Sequence, residues 1–262
     1  MSRRVITLTT DFGHGSAYVA AMKGVILSIN PEAALVDISH DIPPQDIRRA
    51  ALVLADVCDR FPAETIHVAV VDPGVGSARR IIYMHLGTQH YIAPDNGLLS
   101  ALVVRRTPTK IVELAEPSFW LEPVSPTFHG RDVMAPVAAR LSLGLDPERL
   151  GVRRDEIVRL VWPEVKVSDR RIAGMVQSVD SFGNLITNIT AEELAAIPAG
   201  IEVHVRCGEH ETFGIFRTYS DQPPMTLIAL VGSSGRLELA IVDDSAAAML
   251  GESAGSEVTL SW

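Results

Sequence analysis

Hydrophobic and polar positions alternate along this chain with two different rhythms. Residues 4–9, RVITLT, form a short apolar run that ends at Thr10-Asp11-Phe12-Gly13. From Ser16 the spacing turns helical: Tyr18, Met22, Val25, Ile26 and Ile29 share one face, and Asn30-Pro31 stops the pattern. Ala34–Ile38 predicts a second strand. After Pro43-Pro44, Ile47, Ala50, Ala51, Leu54 and Cys58 line one face of a second helix, and Thr65–Val71 predicts a third strand. Strand–helix–strand–helix–strand calls for a parallel sheet with right-handed crossovers.

Past Asp72 the rhythm changes. Arg80–Leu86 and His90–Ala93 flank Gly87-Thr88-Gln89 as a hairpin would, Leu98–Val104 predicts a short apolar helix, and Ile111–Leu114 another strand. A helix is expected over Arg131–Leu143, interrupted by Pro136, which would kink it or confine it to a first turn. Residues 144–168 are polar and irregular and read as a connector between domains. Beyond them come short strand-like runs at 172–180, 185–190, 201–206, 212–216, 226–231 and 236–242, then one short helix within Asp243–Leu250. Gly, Pro and Asp punctuate these runs as in a small barrel or sandwich. The expected fold is thus α/β: a Rossmann-like domain over residues 1–160 with a mixed or parallel sheet and helices on both faces, and a smaller domain, a β-barrel or a sandwich, over 170–262.

Composition narrows the function. A hydrophobic fraction of 47% over 262 residues is ample for a large core. The net charge of −9, with no run of like charges, removes the basic footprint expected of a nucleic-acid or anionic-membrane binder. No apolar run is long enough to span a bilayer, and the N-terminus turns polar too soon for a secretion signal. Cys58 and Cys207 lie far apart and fit two reduced thiols, so a cytoplasmic protein acting on a small molecule is expected.

Ligands of open α/β sheets bind beyond the carboxyl ends of the strands. Asp11 and Asp72 stand there, after the first and third strands. A carboxylate in that place suits a diol, because it accepts two hydrogen bonds side by side; Asp11 could equally cap the following helix. Asp72 opens DPGVGSARR, where Pro and Gly turn the chain so that Arg79 can return to pair with it, as catalytic partner or as loop salt bridge. His129 in TFHGRD precedes a helix beside a glycine that would leave room for a ligand. Asp95-Asn96-Gly97 reads as a turn. Phe182 and Asn184 in DSFGN could stack on and hydrogen-bond a flat ring, or merely form a bulge, and Ser233-Ser234-Gly235 could hold a carboxylate, or merely turn a hairpin. Asp11, Asp72, His129 and Asp132 could converge on a metal, but HExxH, CxxC, P-loop, GxGxxG and GxSxG patterns are all absent.

In order, TTDFG (9–13), NPEAALVDISHDIPPQDI (30–47), VVDPGVGSARR (70–80), IAPDNGLLS (92–100), TFHGRD (127–132), FGNLITNI (182–189) and GSSGRLELAI (232–241) resemble the S-adenosylmethionine hydroxide adenosyltransferases, relatives of the S-adenosylmethionine-dependent fluorinase and chlorinase. The resemblance covers nearly the whole chain. It implies hydrolysis of S-adenosyl-L-methionine to adenosine and L-methionine without metal or cofactor, in a homotrimer whose sites lie between subunits. It implies catalytic roles for Asp72, Arg79 and His129, the ribose diol on Asp11, adenine on Phe182 and Asn184, the methionine ammonium on Asp180, and its carboxylate on Ser233 and Ser234. The halogenases are similar but carry tyrosine at the position of Asp72, and the fluorinase carries its halide-binding serine at Gly130, so water is the expected nucleophile here. The family's usual Asn is Gly232 in this chain, and the fluorinase's tryptophan over the sugar is Gln45. A halogenase-type enzyme, or a non-catalytic adenosine- or S-adenosylmethionine-binding protein, is the alternative.

Overall fold

A computed structural model describes residues 4–104 and 106–262. Close contacts divide the chain into two compact units, Met1–Leu160 and Val161–Trp262. In the first, strands β1 (Val5–Thr10), β2 (Ala34–Ser39) and β3 (Ile66–Val70) are joined by helices α1 (Ala17–Ile29) and α2 (Ile47–Val57). β4 (Ile81–Leu86), β5 (Gln89–Pro94) and β6 (Lys110–Leu114) follow, then α3 (Ala135–Ser142) and β7 (Gly151–Arg153). The sheet order is β2-β1-β3-β5-β4-β6-β7. β1 is parallel to β2 and β3, β3 is parallel to β5, and β4, β6 and β7 pair antiparallel, which makes the sheet mixed.

Apolar side chains line both faces. Ile6, Leu8, Val68 and Tyr83 meet Met22 and Ile26 of α1 and Val137 and Leu141 of α3; on the other face Ala69, Ile82, Met84 and Tyr91 meet Ala50 and Leu54 of α2 and Leu98 and Leu99. Tyr18 does not join that core: it is 57% exposed and packs edge-on to Phe128, 5.0 Å between ring centroids.

Three expectations change in this unit. Residues 98–104 form successive turns rather than a helix. Their N–H groups bond three residues back, Ser100 to Gly97 and Leu102 to Leu99, and Leu98 N–H goes to the Asn96 side chain; these bonds satisfy the backbone as turns, without the four-residue ladder of an α-helix. The helix expected from Arg131 starts as a π turn, Gly130–Met134, and becomes α-helical only where Pro136 occupies its first turn. The connector expected at 144–168 contains structure: Asp146 caps a 3-10 turn, Pro147–Leu150, and β7 pairs with β6. The edge strand escaped notice because all three of its residues are exposed.

The second unit contains β8 (Lys166–Ser168), β9 (Arg171–Val179), β10 (Leu185–Thr190), α4 (Ala191–Leu194), β11 (His204–Cys207), β12 (His210–Phe213), β13 (Leu227–Val231), β14 (Arg236–Ile241), α5 (Ala246–Leu250) and β15 (Glu257–Ser261). The strands run β12-β11-β15-β9-β10-β14-β13, with β8 on β9. Phe216 N–H to Ala229 C=O, 2.8 Å, and the Thr212 hydroxyl to Leu227 C=O, 2.8 Å, bring the β12 side to β13, so the antiparallel barrel is nearly closed. Ile172, Val176, Val205, Leu237, Leu239, Val258 and Leu260 fill it. β15, missed in sequence, lies between β9 and β11. Cys58 and Cys207 are buried free thiols. No helix among the described residues is long and apolar enough to cross a membrane.

Candidate active site

The 72–79 segment begins where β3 runs out of sheet partners. Asn96 donates from Nδ2 to Val71 C=O, 2.9 Å, and fixes the backbone beside Asp72. Two successive turns follow, Val75 N–H to Asp72 C=O and Ser77 N–H to Gly74 C=O, both 3.1 Å, and the Ser77 hydroxyl accepts from Arg79 N–H at 3.2 Å. They bring Arg79 back over the strand end. Its Nε donates to Asp72 Oδ1 at 2.7 Å and its NH2 to Oδ2, a bidentate pair with side chains only 11% and 5% exposed.

The same NH2 lies 3.0 Å from His129 Nδ1. A guanidinium only donates, so Nδ1 must accept; the imidazole is neutral and carries its proton on Nε2. Burial, and then the adjacent Arg79 charge, hold the His129 pKa below its ordinary value against the opposing pull of Asp72 and Asp132.

Packing delivers His129. Gly76 takes φ 78°, and a Cβ there would lie 2.5 Å from the Pro126 carbonyl oxygen, so the turn abuts the 125–129 loop. Asp132, buried, anchors that loop by accepting from Ser125 N–H at 2.9 Å and from Arg131 Nε at 2.6 Å. Burial alone would raise the Asp132 carboxyl; Arg131 and Ser125 bring it below the usual range. Gly130 leaves no room for a ligand: a Cβ would stand 3.3 Å from Val70 Cγ1 and 3.4 Å from Met22 Sδ, so this glycine serves close packing. Gly76→Ala should therefore destabilise the fold by about 1–3 kcal/mol and displace His129, read as a lower urea midpoint together with reduced turnover.

Phe12, Tyr18 and Phe128 form a ring cluster with centroids 5.0–5.8 Å apart that ties the 10–16 segment to the His129 loop. Asp11 sits in that segment. Ser16, not Asp11, caps α1. Asp11 Oδ2 instead accepts from Gln45 N–H at 2.8 Å, Gln45 being held at φ 66°. The metal convergence considered for Asp11, Asp72, His129 and Asp132 does not form: among the described residues they make no such cluster. Arg80 turns away to pair with Asp95, whose Oδ1 accepts from Val158 N–H at 2.8 Å, so that pair is a brace.

In the second unit Asp180 organises the β9–β10 turn. Its Oδ1 accepts from Phe182 N–H and Asn184 N–H at 2.9 and 2.8 Å, and its Oδ2 from Asn184 Nδ2 at 2.9 Å. Gly183, at φ 85°, is pressed against Ser245 at the start of α5. The turn leaves Asn184 buried and Phe182 78% exposed. Ser233 and Ser234 form the exposed tip of the β13–β14 hairpin and share no described hydrogen bond with that turn. Glu238 and Tyr219 lie beside it: Tyr219 donates to Glu238 Oε2 at 3.2 Å, and the Glu238 carboxyl fills the place a side chain on Gly232 would take. Burial raises the Glu238 pKa, the Tyr219 bond opposes it, and Asp180 adds to the rise. The sequence offered Asn96 only as part of a turn and Asp132 only as a possible metal ligand, not as the anchors they are, and it did not single out Tyr219 or Glu238. Only Glu238 left a signal, as the lone charge inside the apolar run LELAI.

Residues 6–151 match the model of the S-adenosylmethionine hydroxide adenosyltransferase N-terminal domain, and 174–259 that of the C-terminal domain. This chain belongs to that family. It is 40% identical over 256 residues, 97% of this chain and 96% of the other, to an (R)-S-adenosyl-L-methionine hydrolase of Salinispora arenicola. A fluorinase of Nocardia brasiliensis is 30% identical over 78% of this chain and 77% of its own. The crystal structure of a conserved protein from Thermotoga maritima superposes with a TM-score of 0.93 at 34% identity, covering 98% of this chain and all of that one. In this fold the DPGVG, FHGRD and FGN segments of the chain are the turns that carry Asp72, His129 and Phe182.

Proposed function

We propose that this chain hydrolyses S-adenosyl-L-methionine, in the (R) form named for its Salinispora relative, to adenosine and L-methionine by in-line attack of water on the ribose C5′. The water O–C5′ bond forms as the C5′–S bond breaks. The electron pair of that bond stays on sulfur, and one proton leaves the attacking water. The leaving group is a neutral thioether departing from a sulfonium, so the reaction needs neither a general acid nor a metal. Positioning of the nucleophile and a dry pocket carry the rate.

The Arg79–His129 hydrogen bond carries the assignment of roles. With Nδ1 occupied, His129 can only donate, so Nε2–H would fix the water through one of its lone pairs. The proton then goes towards Asp72, the one carboxylate of the trio. This favours Asp72 as orienting acceptor over His129 as base. Asp11 would hold the ribose diol, Phe182 the adenine face, and Asn184, with Nδ2 committed to Asp180, would present Oδ1 to the exocyclic amine. Asp180 would attract the methionine ammonium, and Ser233 and Ser234 would take the carboxylate.

The two residue sets belong to different units, and Phe182 is an exposed aromatic in the single chain. We therefore also propose a homotrimer in which neighbouring subunits complete each site, and a cytoplasmic location in keeping with two free thiols.

Chromatography after incubation with S-adenosylmethionine should show adenosine and methionine in equal amounts, unchanged by chelator, and light scattering should give three chains per particle. Intact S-adenosylmethionine would overturn the reaction. The appearance of 5′-chloro-5′-deoxyadenosine in excess chloride would assign a halogenase instead.

A further inference from the structure

The amino ends of the parallel strands, opposite the end that carries Asp11 and Asp72, hold a second group of chemically capable side chains. His85 of β4 and His90 of β5 are directly paired across the hairpin, with ring centroids 4.9 Å apart. Glu64, in the turn before β3 at φ 65°, brings its Oε2 to 3.2 Å from His90 Nε2. Ligand atoms of all three lie within 4.8 Å of one another, and among the described residues no other His, Cys, Asp and Glu side chains meet in this way. In a tetrahedral zinc site, bonds of about 2.1 Å put neighbouring ligand atoms about 3.4 Å apart. The Glu64–His90 distance already matches that edge.

Both imidazoles are anchored through the other ring nitrogen, as metal-binding histidines are. His85 Nδ1 lies 2.7 Å from Thr109 Oγ1, and the same hydroxyl reaches His85 C=O at 3.4 Å. When that hydroxyl donates to the carbonyl its oxygen accepts from Nδ1–H, the tautomer that leaves the Nε2 lone pair of His85 for a metal. His90 Nδ1 lies 2.7 Å from the hydroxyl of Tyr83, a buried side chain. Without a metal, His90 Nε2–H donates to Glu64 and Tyr83 donates to Nδ1. With one, the His90 proton resides on Nδ1 and the phenol oxygen accepts it.

We propose that Glu64, His85 and His90 bind one imidazole-preferring divalent cation, with Zn2+ the natural probe and water completing the shell. The ion would staple the β4–β5 hairpin to the turn before β3. Arg4 is the opposing group: its NH2 stands 3.3 Å from Glu64 Oε2, while NH1 donates to Leu141 C=O at 2.9 Å. That competing charge disfavours Mg2+ and Ca2+, which depend on oxygen ligands, and leaves ions that bind nitrogen strongly.

The full-length protein, treated with EDTA and dialysed, is titrated calorimetrically with ZnCl2 and melted with and without it. The expected result is one ion per chain and a raised Tm. His85→Ala and Glu64→Gln should each weaken binding about tenfold or more and abolish the Tm rise, with circular dichroism unchanged. Their hydrolysis of S-adenosylmethionine in chelator should stay within about twofold of wild type, because neither residue approaches Asp72, Arg79 or His129. Absence of one-to-one binding in the wild type, or binding that survives both substitutions, overturns the site. Survival would place the ion on other histidines such as His14, His204 or His210.

Discussion

Asp72→Asn is expected to lower kcat for S-adenosylmethionine hydrolysis by about 10²–10⁴-fold, the usual contribution of a positioned proton acceptor, while KM changes little. The substitution keeps size and one acceptor oxygen but removes the charge. The water then loses the group that draws its proton, and Arg79, only 11% exposed, loses its counter-ion. Breaking a buried pair from one side costs up to about 3–5 kcal/mol, so urea denaturation must accompany the kinetics. A variant that remains folded yet retains nearly full kcat would show that Asp72 neither aims the water nor takes its proton.

Arg79→Met should cost about 10² in kcat, the effect of a small misplacement of reacting groups, and should change the titration of His129 in a defined direction. In the wild type, burial and then Arg79 depress the His129 pKa, while Asp72 and Asp132 pull it up. Without Arg79 only burial still opposes the two carboxylates, so the pKa rises. Protonation then sets in at higher pH, and the acid limb of any residual activity moves upward with it. The His129 Cε1–H resonance, followed by NMR from pH 4 to 8 in both proteins, reads this independently of turnover. An unshifted titration would mean that the guanidinium does not donate to Nδ1, and the assignment of the proton to Nε2 would fall with it.

Strands β1 and β3 and helix α2 were legible because pattern and burial coincide in them. Ile6 and Leu8 on β1 and Ala50 and Leu54 on α2 are buried where their spacing placed them. Hairpin β4–β5 was equally plain, since Gly87-Thr88 is a two-residue turn with glycine at φ 63°. Elements whose pairing is supplied from elsewhere were not legible. β7 has three exposed residues and is a strand only because β6 offers an open edge, and β15 is five residues at the chain end that gain their ladder from β9 and β11.

At the candidate site, sequence alone determined the chemistry at hand: carboxylates after parallel strands, an arginine returned by a Pro-Gly turn, and a histidine beside a helix start. Those follow from local rules, because strand ends, turns and caps are governed by neighbours in the chain. Tertiary structure decided which of them meet and in which protonation state. Arg79 and His129 are fifty residues apart, and tertiary packing, with the 72–79 turn against the Pro126 carbonyl and Asp132 anchoring the loop, brings them to 3.0 Å. That distance puts the proton on Nε2, which supports the proposal of His129 as a donor rather than a base. The same physics separates VVDPGVGSARR into its parts: Arg79 faces Asp72 and the histidine, whereas Arg80, one residue on, points to Asp95 and braces the loop. No local pattern distinguishes two adjacent arginines; the partners waiting on either side of the strand do.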